Sequence, residues 1–106
     1  MLDGHMTRAR IDIPKDLIAA FCRKHKIARL SLFGSVLSDE FGPDSDVDVL
    51  VEFKPGKRIG MIRLSGIELE LGKILGRKVD LNTPGFLHAH FRSQVMEESE
   101  AQYAEA

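Results

Sequence analysis

The sequence predicts an α/β (α+β) fold: a small three-stranded mixed sheet with helices packed on it, in the order α-β-α-β-α-β-α. Three observations predict it. Segments with apolar residues at helical spacing alternate with short runs rich in Val, Leu and Ile. The connections between them are short and punctuated by Gly, Pro, Asp or Ser. A length of 106 residues is below that at which a second core becomes favourable, so 1–106 reads as one domain.

Residues 1–11 carry no periodicity and are expected to fray. Pro14 suits the first turn of a helix over 14–25, with Asp12 and Asp16 near its positive end. Leu17, Ile18, Phe21 and Cys22 form its apolar side, and Arg23, Lys24, His25 and Lys26 read as a solvated C-terminal end. A strand follows over 27–33, with Ala28, Leu30 and Leu32 on one face and Gly34 as its bound. Residues 35–40 read as a short helix or helical turn, and 41–45 as a loop. The central strand is 46–53, with Val47, Val49, Val51 and Phe53 opposite Asp46 and Asp48.

The longest helix spans 60–75, with Met61, Leu64, Ile67, Leu71, Ile74 and Leu75 as its stripe. Gly66 and Gly72 each cost it up to about 1 kcal/mol relative to alanine. Gly76 is its C-cap, and 77–81 is a short strand. Thr83 as N-cap and Pro84 at the first position start a last helix to about 99, with Leu87, Phe91 and Val95 on one face. The acidic end, 100–106, including Tyr103, reads as loose and without a role.

The balance of 43% hydrophobic and 29% charged residues is that of an ordinary globular chain. A net charge of −1 makes no strong case for a nucleic-acid partner. Cys22 stands alone, which excludes an intrachain disulfide and fits a reducing compartment. No run approaches the roughly 20 apolar residues needed to span a bilayer. The first residues lack the apolar core of a signal peptide, so the expected location is the cytoplasm.

The chemistry concentrates in residues 32–53, LFGSVLSDEFGPDSDVDVLVEF. Positions i and i+2 of a strand point the same way, so Asp46 and Asp48 present two carboxylates side by side. Like charges so close repel unless a cation lies between them, and for oxygen ligands that cation is Mg²⁺ or a close relative. Gly34 and Ser35 end the preceding strand and start a helical turn, where free backbone N–H groups favour phosphate. If the strand carrying Asp80 neighbours the Asp46–Asp48 strand, Asp80 completes a carboxylate triad. Two carboxylates then hold metal, while the third binds one metal and can accept a hydroxyl proton.

Each feature alone has a plainer reading. Gly34 with Ser35 is by itself more often a strand-to-helix turn; Asp46 and Asp48 could solubilise a strand end; Asp80 could face water on an edge. His88 and His90, two apart on a helix, do not face each other and predict no metal site.

Gly-Ser, ten residues, then Asp-x-Asp opening an apolar strand, with a later Val-Asp-Leu strand, resembles the DNA polymerase beta-like nucleotidyltransferases. More narrowly, the chain resembles the minimal nucleotidyltransferases, prokaryotic antitoxin partners of HEPN-domain toxins, over about 14 to 100. The resemblance implies ATP as donor, Mg²⁺ as cofactor and transfer of a nucleoside monophosphate to an acceptor. It places Gly34 and Ser35 at the triphosphate and Asp46, Asp48 and Asp80 at the metals. It also implies a HEPN toxin as partner and acceptor, in a homo- or hetero-oligomer. The rival is a silent module of the same fold that neutralises a partner by contact. The chain departs from the pattern where arginine is frequent after Gly-Ser: Val36, Leu37, Ser38 and Gly42 stand there. Arg63, Lys57 and Lys78 are the cations that could compensate.

Overall fold

The computed structural model describes residues 9–56, 59–87 and 89–105, the side chain of Phe86 excepted. The expectations for residues 1–8, Lys57 and His88 lie outside these.

The element order is α1 (Lys15–Lys24), β1 (Ile27–Phe33), a 3-10 turn (Gly34–Leu37), β2 (Val47–Phe53), α2 (Met61–Leu75), β3 (Val79–Asn82), a second 3-10 turn (Pro84–Phe86), α3 (Ala89–Glu98) and β4 (Glu100–Ala104). The sheet order is β3-β2-β1-β4. β1 is antiparallel to both β2 and β4, whereas β2 and β3 are parallel, joined by the α2 crossover. α1 and α2 bury Ile18, Phe21, Cys22, Leu64, Ile67 and Leu71 against Ile27, Leu30, Leu32, Val47, Val49, Val51, Val79 and Leu81. Among the described residues no helix is long and apolar enough to cross a membrane.

The mixed sheet with helices packed on it is as expected, but it has four strands rather than three. Residues 100–104, expected to be loose, pair with the free edge of β1 instead. Lys15 Nζ donates to Gln102 Oε1 at 2.6 Å and Lys54 pairs with Glu105 at 3.0 Å, so side chains also hold the segment at its middle and just past its end. Tyr103 accordingly packs against the core cluster. The N-terminal stretch is not frayed where it is described: Arg10 N–H donates to Val36 O at 2.9 Å, and its guanidinium pairs with Asp39.

Several local expectations change. In β1, Ile27 opposes Phe53 and Arg29 opposes Glu52, so Ala28 is the extra residue of a bulge. The bulge puts Ile27, not Ala28, into the core beside Leu30 and Leu32. Leu17 and Met61 are exposed, so the α1 and α2 stripes are narrower than their periodicity suggests. His25 is not a solvated helix end: it is buried, its ring edge-on to Phe21 and its Nε2 3.0 Å from Glu70 of α2. Gly76 is the expected C-cap, with φ 69° in the left-handed region. Thr83 makes no side-chain cap, and Pro84 starts only a 3-10 turn; α3 begins at Ala89. α3 buries no residue, and Phe91 is 56% exposed. Arg92 ties it down by donating to Pro84 O at 2.8 Å and Leu87 O at 3.1 Å.

Candidate active site

The parallel pairing of β2 and β3 determines the site. Its register sets Val47 against Val79, Asp48 against Asp80 and Val49 against Leu81. Alternation then buries the valines and leucine beneath the helices and turns both aspartates to the other face. Asp46 lies one residue before β2, exposed at its mouth. Asp48 is half-buried and Asp80 exposed on the edge strand.

Burial raises the Asp48 carboxyl, and the charges of Asp80 and Asp46 raise it further, with a hydrogen bond shared with Asp80; together they push it up to about 6. Among the described residues no Lys or Arg forms an ion pair with any of the three. Hard oxygen donors with unbalanced negative charge are the donor set a divalent cation of the Mg²⁺ type takes. The side chains as they stand do not close on one point: among the described residues no group of three or more His, Cys, Asp or Glu is arranged to hold an ion. The fit is therefore of donor type and charge, with Asp48 and Asp80 as neighbours and Asp46 beside them.

Gly34 belongs to the same locus. It has φ +76°, and a Cβ built on it would collide with Asp48 Oδ2 and lie 3.3 Å from its Cγ. Glycine is required here twice, for its dihedral and for the close approach of backbone to carboxylate. Phe33, just before it, pairs with Asp48 across the β1–β2 ladder. The Gly34–Ser35 backbone and the carboxylates thus share one edge of the molecule. The expected helix over 35–40 is a single 3-10 turn, Gly34–Leu37, closed by Ser38. Ser38 Oγ donates to Ser35 O at 3.1 Å and accepts from Glu40 N–H at 3.2 Å.

A cleft of about 490 Å³ opens at this turn, lined by Gly34, Ser35, Leu37, Ser38, Glu40 and Glu98. Glu40 and Glu98 were invisible as site residues in the sequence. Glu98 arrives from the end of α3, and nothing in its own neighbourhood in the chain signals that placement. Of the cations proposed to compensate for the missing arginines, Arg63 lies exposed on α2 and Lys78 exposed just before β3. Neither lines this cleft. His90 forms no metal cluster among the described residues.

The nucleotidyltransferase domain profile matches residues 14–101. This chain belongs to the nucleotidyltransferase family. A candidate protein adenylyltransferase of Methanocaldococcus jannaschii is 36% identical over 76 residues, covering 72% of this chain and 80% of that relative. The structure of a candidate minimal nucleotidyltransferase superposes with TM-score 0.68 at 31% identity, over 81% of this chain and 86% of the other. A toxin–antitoxin crystal structure with AMP-PNP gives TM-score 0.71 at 20% identity, over 87% and 74%. A tri-AMPylated HEPN toxin of Shewanella oneidensis in complex with its MNT antitoxin gives 0.63 at 21% identity, over 85% and 69%. The last two share the fold. The domain profile, the sequence relative and the 31%-identical structure together make the chain a nucleotidyltransferase of the minimal type.

Proposed function

We propose that this nucleotidyltransferase transfers the adenylyl group of ATP to a hydroxyl on a partner protein, as the antitoxin of a HEPN-type pair. One observation carries the catalytic part: Gly34 touches Asp48, and Asp48 stands in register with Asp80. A triphosphate held at Gly34 and Ser35 would lie beside the carboxylates that need a cation. Asp46, Asp48 and Asp80 would hold Mg²⁺, which neutralises charge on the phosphates when bound. The acceptor oxygen forms a bond to the α-phosphorus, the bond to the β-phosphate bridging oxygen breaks, and pyrophosphate leaves. The hydroxyl proton passes to Asp80, an exposed carboxylate on the edge strand in register with Asp48.

The partner assignment rests on the neighbours: one relative is a candidate protein adenylyltransferase, and one shared fold sits in a complex with an AMPylated HEPN toxin. A cytoplasmic site of action fits the buried free Cys22, whose thiol burial pushes up to about 12 against a smaller lowering by Arg23. The test is to incubate the chain with a HEPN-domain protein, Mg²⁺ and ATP, starting with the product of the neighbouring gene, and weigh that protein. Gain of adenylyl groups is expected with the wild-type chain and none with Asp48→Ala.

A second reading, neutralisation by contact alone, is favoured by the cleft itself. Its described lining holds no Lys or Arg, a poor charge match for a triphosphate without metal. An Asp48→Ala chain that neutralises the partner as well as wild type, with no mass change in either case, selects that reading.

A further inference from the structure

We infer that Arg77 is a positioning residue for the carboxylate group, acting by fixing the loop that delivers Asp46. The inference rests on the proposed metal–nucleotide site and names a residue that site depends on without touching it.

The connection into β2 lacks secondary structure of its own after Leu37, and Pro43 removes one donor from it. One guanidinium supplies its carbonyls with a partner from outside the loop. Arg77 Nη2 donates to Gly42 O at 2.7 Å and Ser45 O at 2.8 Å, with Pro43 O at 3.3 Å. The guanidinium carbon also lies 4.4 Å from the Phe41 ring centroid, so the group is held by stacking and by hydrogen bonds. Arg77 is in turn anchored on the rigid side: its N–H donates to Gly72 O at 3.2 Å, at the left-handed cap of α2. The next residue completes the clamp, because Val47 N–H donates to Lys78 O at 2.9 Å. Asp46 therefore sits between two residues, Ser45 and Val47, each bonded to the segment that leads directly into Asp80. One two-residue stretch, Arg77 with Lys78, sets the offset of Asp46 from both Asp48 and Asp80. Gly42 and Ser45 close the loop internally, Gly42 N–H to Ser45 Oγ at 3.0 Å and Ser45 N–H to Gly42 O at 3.1 Å, but neither bond reaches β3.

A lysine at 77 keeps a charge and a donor but loses the planar stack on Phe41, so it should restore part of the function that alanine removes. Misplacing a ligand-bearing loop by an ångström costs an order of magnitude or more at sites that depend on geometry.

The experiment compares wild type, Arg77→Ala and Arg77→Lys, each well below its melting temperature, by two readouts. Calorimetric titration with Mg²⁺–ATP is expected to show affinity about tenfold or more weaker in Arg77→Ala and partly recovered in Arg77→Lys. Amide hydrogen exchange of the ligand-free protein is expected to accelerate in Arg77→Ala at residues 42–47 while β1 stays protected. Arg77→Lys carries the comparison should the alanine variant fold poorly. Unchanged affinity in Arg77→Ala, or unchanged exchange at 42–47, overturns the positioning role and leaves the site reading standing. No Mg²⁺–ATP binding by the wild type overturns the site reading, and the positioning role with it.

Discussion

Two clusters of ionisable groups in this small protein move their carboxyl groups in opposite directions. Between α1 and α2, Glu70 accepts from Lys24 Nζ at 3.1 and 3.2 Å and lies 3.0 Å from His25 Nε2. Desolvation raises that carboxyl, but the bonds and charges of His25 and Lys24 outweigh it, and the net shift is down. Between β2 and β3, Asp48 meets burial and two further aspartates, and its carboxyl rises to about 6. The first cluster is closed: its charges are matched within the chain, and it serves stability. The second is left unmatched among the described residues, a cost a fold sustains when something from outside supplies the missing charge. The contrast separates an acid matched within the chain from the one proposed to take a cation.

The largest effect expected from disturbing the comparison is at Gly34. Gly34→Ala puts a Cβ into Asp48 and an L side chain at φ +76°. The dihedral alone costs about 1–2 kcal/mol, and the displaced carboxylate should remove Mg²⁺–ATP binding as well. Thermal melting and calorimetry on the same preparation check it; a variant with wild-type melting and binding would show that the close approach is unimportant.

Next is pH, where the two clusters should respond with opposite sign. Asp48 has a folded-state value above its ordinary 3.8, so its favourable contribution is full below about 3.8 and lost as pH rises through about 6. Asp48→Asn should therefore melt higher than the metal-free wild type above pH 6, the gain fading towards pH 4. Glu70 is shifted below its ordinary 4.5, so its contribution is present above 4.5 and lost as pH falls below it. Glu70→Gln should melt lower than wild type at pH 7 and converge with it in acid. Melting curves of both variants across pH 4–8 give the signs; equal signs would erase the distinction between the clusters.

The smallest effect is at Ser38, which lines the cleft beside Gly34 and Ser35. Ser38→Arg loses the bonds to Ser35 O and Glu40 N–H but adds a cation to a cleft whose described lining has no Lys or Arg. A charge-assisted contact of roughly 1.5–3 kcal/mol would tighten ATP–Mg²⁺ binding by about tenfold at low salt, less at moderate salt. No gain at either salt means the side chain at 38 faces away from the phosphates.

Much of the framework was legible because it depends on local pattern. β1 and β2 are runs of apolar residues with clear bounds, α2 has a stripe and a left-handed glycine cap, and the β2–α2–β3 order implies a parallel pair. That parallel pairing is what sets Asp80 beside Asp48. The elements that local pattern does not reveal depend on tertiary partners. Residues 100–104, EAQYA, have no β-branched side chain and become a strand because β1 offers an open edge. The bulge at Ala28 follows from register with Glu52 and Phe53, and His25 is buried because Glu70 receives it. Arg77 leaves no signal in the sequence because its partners are carbonyl oxygens, which carry no residue identity for a sequence to display.

Calorimetric titration of ATP into the chain, with Mg²⁺ and then with Mg²⁺ chelated, tests the central claim most directly when run beside Asp46→Asn/Asp48→Asn. The wild type is predicted to bind ATP with Mg²⁺ and to lose that binding on chelation. The double variant is predicted to bind in neither condition while melting no lower than wild type, since only like-charge crowding has been removed. Equal Mg²⁺-dependent affinity in the wild type and the double variant would contradict the assignment of Asp46 and Asp48 to the nucleotide site.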